Sequence, residues 1–263
     1  MSYENITVET RGNTFVITLD RNQARNAMSS QMMAEMCDAL ERWDKDNNLR
    51  ACVITNNGPV FCAGADLKEI SKGTWKLPED KQDWGFAGMT KRYFDKPLIA
   101  AVRGKCLGGG LEMMLACDLA VCSEDSVFGF PEPRVGLTAA GGGALLRIAQ
   151  HIPMKFAQEL LLLAEPIDAT KAHSWGLVNK VVPAQDVLDE ALEFAEKIAL
   201  SAPLAIKYSK RTAYETMGTS NTIYPSEAWD ILTKYEKITA GSEDAHEGST
   251  AFAEKRAPRW QGR

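Results

Sequence analysis

The sequence predicts an α/β fold of stacked strand-and-helix units, with mostly parallel sheet and a mainly helical C-terminal third. Three observations carry that prediction. Compact β-branched runs recur through the first half, each run leads into a glycine-containing turn and then a helical pattern, and from about Asp168 onward helical patterns dominate. At 263 residues, 45% hydrophobic and 25% charged, the chain is long enough to bury a sizeable core.

The elements follow in order. ENITVE and TFVITLD read as strands flanking Arg11-Gly12-Asn13, where glycine and asparagine suit the positive φ of a hairpin turn. Ser29 or Ser30 caps a helix in which Met33, Met36, Leu40 and Trp43 recur at spacings of three and four on one core-facing side. RACVITN then leads into FCAGADLKEI, PLIAAVRG leads into CLGGGLEMMLA, and DLAVCS follows. Beyond Asp168 only LVNKVVP has strand character. AQDVLDEALEFAEKIAL, APLAIKYSKRTAYETM and SEAWDILTKYEK read as helices. Ser201-Ala202-Pro203 divides an α/β core, residues 1–200, from a helical part, residues 201–263, although Pro203 also suits a helix's first turn.

Composition narrows the function classes. A net charge of -5 argues against a broad nucleic-acid surface, and KYSKR at 207 to 211 is the only short basic candidate. No G-x-G-x-x-G fingerprint supports a dinucleotide enzyme. The start MSYENITVET has no leader-like pattern, and no run of about eighteen apolar residues occurs, so a cytoplasmic protein without a membrane partner is expected. Cys37, Cys52, Cys62, Cys106, Cys117 and Cys122 show no metal-ligand spacing and read as buried free thiols, while His151, His173 and His246 share no ligand pattern.

Three segments can carry chemistry. Gly108-Gly109-Gly110-Leu111-Glu112 joins a strand to a helix, so backbone amides at the helix start can hold an oxyanion beside Glu112. A tight turn with a dipole-compensating glutamate explains this segment equally well. Cys62-Ala63-Gly64-Ala65-Asp66 can bring a second amide to the same point; alone it reads as a helix start with Asp66 as the capping acid. Glu132, between Pro131 and Pro133 and after Phe128 and Phe130, can be desolvated enough to hold a proton near neutral pH. Taken singly it reads as a solvated loop carboxylate.

Together, FCAGADLKEI, PLIAAVRGKCLGGGLEMMLACDLAVCSEDSVFGFPEPRVGL and AHSWGLVNKVVP resemble the crotonase, or enoyl-CoA hydratase, superfamily in order and spacing, and the similarity covers nearly the whole chain. The resemblance implies a spiral of β-β-α units with a helical C-terminal region that assembles homotrimers, commonly paired into hexamers. It implies an acyl-CoA thioester substrate, with coenzyme A as part of that substrate and no metal or redox cofactor. Ala63 and Gly109 match the two positions whose amides bind the thioester carbonyl. Gly64 joins them, Ala65, Asp66 and Leu67 match the stretch that runs along CoA, and Lys255 matches a basic position that approaches CoA phosphates.

Glu112 matches the glutamate that activates water at C3, and Glu132 the one that exchanges a proton at C2. Keeping both favours a hydratase over an isomerase with one carboxylate, and the acidic balance disfavours an RNA-binding or scaffold role. After Glu132 the chain departs from the commonest pattern, reading PRVGLTAAGGGALLRI, so Leu137, Thr138 and Ala139 are expected to shape the acyl pocket. GFAGMT and the ending SEDAHEGSTAFAEKRAPRWQGR resemble the carnitinyl-CoA dehydratase subgroup. Trp75 and Trp84, with Glu79, Asp80 and Asp83, suit a quaternary ammonium by cation-π attraction, although an exposed acidic loop is the simpler reading.

Overall fold

In the computed structural model, which describes residues 3–201, 203–216, 237, 240–257 and 259, the chain coils through two sheets. β1 (Ile6–Arg11) and β2 (Thr14–Leu19) form an antiparallel hairpin whose register leaves Gly12-Asn13 as the turn. Of these two only Gly12 takes positive φ, +58°. Asn13 instead donates its side-chain amide to Asn48 O at 2.8 Å.

Each later coil then gives one strand to each sheet. β3 (Ala51–Asn56) is followed by β4 (Val60–Cys62), β5 (Leu98–Val102) by β6 (Lys105–Leu107), and β7 (Leu119–Ser123) by β8 (Val127–Gly129). Helices α1 (Ser30–Lys45), α2 (Leu67–Ser71) and α3 (Gly109–Leu115) separate the coils. The larger sheet runs β1-β2-β3-β5-β7-β10, with β10 (Lys180–Val182) at its edge and every pair beyond the hairpin parallel. The smaller runs β4-β6-β8-β9, where β9 (Ile167–Asp168) is antiparallel to β8. The spiral of β-β-α units is therefore present. Cys62 pairs with Cys106 and Cys106 with Phe128, so the turns leaving β4, β6 and β8 open along one edge.

β3 and β5 bury every residue because the larger sheet is covered on both faces, which explains continuous apolar runs in place of alternation. Val187, Ala191 and Ala195 of α7 (Val187–Ala199) pack with Val16, Val53, Ile99 and Val121 on one side. On the other, Met33, Met36, Leu40 and Trp43 of α1 join Ile54, Ala100 and Val102. Ser29 is the residue that caps α1, accepting from Met32 N at 3.2 Å, while Ser30 bonds Glu69.

α4 (Ala144–His151), α5 (Met154–Leu163) and α6 (Ala169–Ser174) follow the third coil. α8 (Pro203–Thr216) starts at Pro203, and α9 (Glu243–Glu254) ends at Lys255. Apart from Lys237, the expected helix SEAWDILTKYEK lies outside the described residues. The basic stretch of α8 is committed to partly buried carboxylates. Lys207 and Arg211 each pair with Asp95 at 2.7 Å, and Lys210 pairs with Asp118 at 2.7 Å. All six cysteines are buried and free, as the sequence led us to expect. Among the described residues no helix is long and apolar enough to cross a membrane, and no His, Cys, Asp and Glu cluster is spaced to hold a metal.

Candidate active site

The triple glycine forms the turn from β6 into α3. Gly108 N donates to Gly129 O at 2.9 Å, tying this turn to the end of β8. Gly108 has φ +54°, and a Cβ placed on it would lie 2.9 Å from Glu132 Oε1. The carboxyl of Glu132 thus rests directly on the glycine turn. Glu112, in the first turn of α3, is 3% exposed, and its Oε1 accepts from Ala144 N at 3.1 Å. A Cβ on Gly142 would meet Glu112 Oε2 at 2.8 Å, so the small residues after Leu137 make room for this carboxyl. Both acids singled out from the sequence therefore converge on one turn.

Their surroundings differ. Glu132 is only partly buried as a residue, yet its Oε2 is sealed from solvent and has no hydrogen-bond partner among the described residues. Burial first, and then the charge of Glu112, push its pKa up to about 8. The desolvated acid anticipated from the proline-bounded, aromatic segment is what the geometry holds.

The turn after β4 supplies the neighbouring backbone. A Cβ on Gly64 would lie 3.2 Å from Gly109 N, so the two turns touch. Ala63 does not offer its amide, contrary to the sequence-based assignment, because Ala63 N donates to Arg25 O at 3.2 Å. Met28 bridges Ala65 in parallel fashion, with Met28 N donating to Gly64 O and Asp66 N to Met28 O. This pairing turns the Ala65 amide away from Met28. Among the described residues the N–H groups of Ala65 and Gly109 have no hydrogen-bond partner.

Asp66, expected along CoA, is 7% exposed, and its carboxylate is engaged with Arg21 Nη1 at 2.7 Å and with the amides of Lys68 and Glu69. It caps α2. Leu67 opens that helix and is half-buried. Lys255 lies at the left-handed C-cap of α9, exposed, and its side chain has no hydrogen-bond or ion-pair partner among the described residues. Arg21 and Asn26 were missed from the sequence, although RNQARNAM holds both.

An aromatic wall faces the turn. A Cβ on Gly109 would fall 2.5 Å from Phe86 Cζ, and Phe86 stacks on Trp75 at 6.2 Å between ring centroids. Trp75 donates its indole N–H to Met28 O at 2.8 Å, which fixes it beside the Ala65 bridge. Trp84 is differently placed. Arg92 lies 3.7 Å and Lys81 4.2 Å from its ring, so the protein's own cations take the role expected for a quaternary ammonium. Glu79, Asp80 and Asp83 are exposed.

The chain as a whole has relatives among known proteins. The family profile described as Enoyl-CoA hydratase/isomerase matches residues 9–263. Carnitinyl-CoA dehydratase of Proteus mirabilis is 38% identical over 267 residues, covering 99% of this chain and 99% of its own length. Enoyl-CoA hydratase EchA19 of Mycobacterium tuberculosis is 40% identical over 263 residues, covering 97% of this chain and 96% of its own length. Among solved structures, carnitinyl-CoA hydratase from Mycobacterium avium has a TM-score of 0.92 at 44% identity, covering 100% of both chains. Matched along nearly its whole length and carrying the glycine turn with both glutamates, the chain belongs to the enoyl-CoA hydratase/isomerase family.

Proposed function

We propose that this lyase reversibly hydrates a 2-enoyl-CoA thioester to a 3-hydroxyacyl-CoA, with Glu112 and Glu132 as its acid-base pair. The observation that carries this assignment is the convergence of both carboxyls on a turn whose Gly109 amide is unpaired among the described residues. Addition of water to a conjugated thioester builds negative charge on the carbonyl oxygen, which the amides of Ala65 and Gly109 stabilise. Glu112, held by Ala144 N, takes a proton from the attacking water. Glu132, protonated in its sealed setting, delivers a proton to C2. Lys255, exposed and without a partner among the described residues, is the proposed contact for CoA phosphates. Exposed Leu162, Leu200, Leu204 and Phe252 support assembly into trimers or hexamers.

The direction of the Glu132 shift sets a pH dependence. Below about 8 the pair keeps the one proton that both directions of the reaction use, on Glu132 for hydration and on Glu112 for dehydration, and above that value it is lost to solvent. Hydration kcat/KM should therefore fall as pH rises through about 8, and dehydration kcat/KM, tied to it by an equilibrium that takes up no proton, should fall with it. Rates on crotonyl-CoA and 3-hydroxybutyryl-CoA measure both. Flat hydration from about pH 7 to about pH 9 would count against Glu132 as the acid.

A panel of crotonyl-, longer-chain and crotonobetainyl-CoA, with products identified by mass, tests the reaction itself. A hydratase adds the mass of water, whereas an isomerase shifts the alkene without solvent oxygen. Crotonobetainyl-CoA belongs in the panel because two of these relatives are named for the carnitinyl-CoA reaction. The same panel tests the aromatic wall. Removing the ring over Gly109 in Phe86→Ala should raise octenoyl-CoA relative to crotonyl-CoA about tenfold in kcat/KM, within the range for added methylenes in an apolar pocket. An unchanged ratio in a folded, active variant would remove Phe86 from the acyl boundary.

A further inference from the structure

The segment between β2 and α1 is built around the turn that carries the Ala65 amide. Arg21 Nη1 donates to Ala27 O at 2.9 Å and to Asp66 Oδ2 at 2.7 Å. One guanidinium therefore fastens the residue before Met28 to the residue after Ala65, closing both sides of the Met28–Ala65 bridge. The other Asp66 oxygen accepts from Lys68 N at 3.0 Å and Glu69 N at 3.4 Å, which joins the same point to the start of α2. Burial alone would raise the Asp66 carboxyl, but Arg21 and these two amides outweigh it and hold it below its ordinary value.

Arg21 is itself anchored. Its backbone N donates to Asn26 Oδ1 at 2.7 Å, and Asn26, fully buried with φ +51°, donates its side-chain amide to Val60 O at 2.8 Å and Asn57 O at 3.2 Å. The 21–28 segment is thus attached to β4 before the turn begins and to α2 after it ends. Between these attachments lies Ala65, whose N–H points away from the ladder.

Resting on the two-amide reading above, we propose that Arg21 and Asp66 are positioning residues that aim the Ala65 amide at the thioester oxygen. Neither touches the substrate in this assignment. A hydrogen-bond donor acts on the developing oxyanion only if it is held within a narrow range of distance and angle, so small displacements of the turn are costly. Truncating Arg21 also leaves a buried carboxylate without its counter-charge, which pulls the turn toward solvent.

The test uses butyryl-CoA carrying carbon-13 at the thioester carbonyl, a saturated ester that cannot be hydrated. Infrared difference spectra report how far binding lowers the carbonyl stretch, and that lowering measures the hydrogen bonds reaching the oxygen. Arg21→Met should cut crotonyl-CoA kcat at least about tenfold and reduce the lowering to about half, with butyryl-CoA Kd changed less than about threefold. Arg21→Lys, which keeps the charge, should recover most of both. Asp66→Asn supplies the same comparison from the partner side if Arg21→Met fails to fold.

No lowering in the wild type would reject the two-amide reading itself. Lowering in the wild type that persists undiminished in folded Arg21 and Asp66 variants would instead reject the positioning role, whether or not kcat falls.

Discussion

Glu112→Gln and Glu132→Gln should each reduce crotonyl-CoA hydration at least about a hundredfold, the usual scale for removing an acid-base group. Glutamine keeps the shape of each side chain. At position 112 it can still accept from Ala144 N, so the packing against Gly142 survives and only the capacity to take a proton is lost. At position 132 the amide cannot give up a proton to C2. Affinity for butyryl-CoA should change little, because neither variant alters the amides of Ala65 and Gly109. The double variant should lose much less than the product of the single losses, since the groups act on one reaction as a unit. Wild-type hydration by Glu132→Gln, beside an inactive Glu112→Gln, would leave a single-carboxylate, isomerase-like site as the better description.

Glu132→Gln carries a second signature. A carboxyl whose folded pKa, about 8, lies above its unfolded value destabilises the fold progressively as pH rises from about 4 to about 8. The glutamine variant has no such dependence at this position. Its melting temperature should gain on the wild type across that window, so an inactive Glu132→Gln protein that melts higher at alkaline pH has lost chemistry and not structure.

Gly109→Pro should lower kcat by about a hundred- to a thousandfold, the scale for losing one oxyanion donor. Gly109 is the first residue of α3, a position where proline is tolerated because the amide makes no intrahelical bond. Proline nevertheless adds a side chain where Phe86 Cζ would stand 2.5 Å away. Gly109→Ala separates the effects, since alanine displaces the same ring and keeps the N–H. Alanine should therefore change the acyl preference, as is expected of Phe86→Ala, and proline should add the loss of about a hundred- to a thousandfold in kcat. Equal losses in both would assign the effect to the ring and remove Gly109 N from the oxyanion site.

The fold was legible from local chemistry, whereas Glu112 and Glu132, each with an ordinary reading of its own, stood out only through the resemblance of the whole pattern. Continuous apolar runs before glycine turns could only be covered parallel strands. Of the two amides proposed for the oxyanion, one was legible. Gly109 follows from the helix start, but the choice between Ala63 and Ala65 depends on which residue pairs with Met28. In a regular strand residues two apart face the same way, so the different outcomes at Ala63, bonded to Arg25 O, and Ala65 reflect the break at Gly64, φ +99°, together with a partner more than thirty positions upstream. The stack of Phe86 on Trp75, and Arg92 over Trp84, likewise follow from tertiary placement. Three positive φ values at Gly85, Ala87 and Gly88 define the backbone path there, and composition alone does not show where that path carries each ring.

The paired positions Cys62, Cys106 and Phe128 give the chemistry a ruler. Adjacent strands in a sheet lie about 4.8 Å apart, so the groups borne on the three successive turns are spaced by the hydrogen-bond pitch of the backbone and not by any side chain. Insertions far out in the connecting helices leave that pitch untouched, and the acyl specificity can drift while the distances among Ala65, Gly109 and Glu132 hold. Deleting one residue within β6 would do the reverse. It would slide the glycine turn along its neighbours and misplace an amide and an acid together, with the core still folded around them.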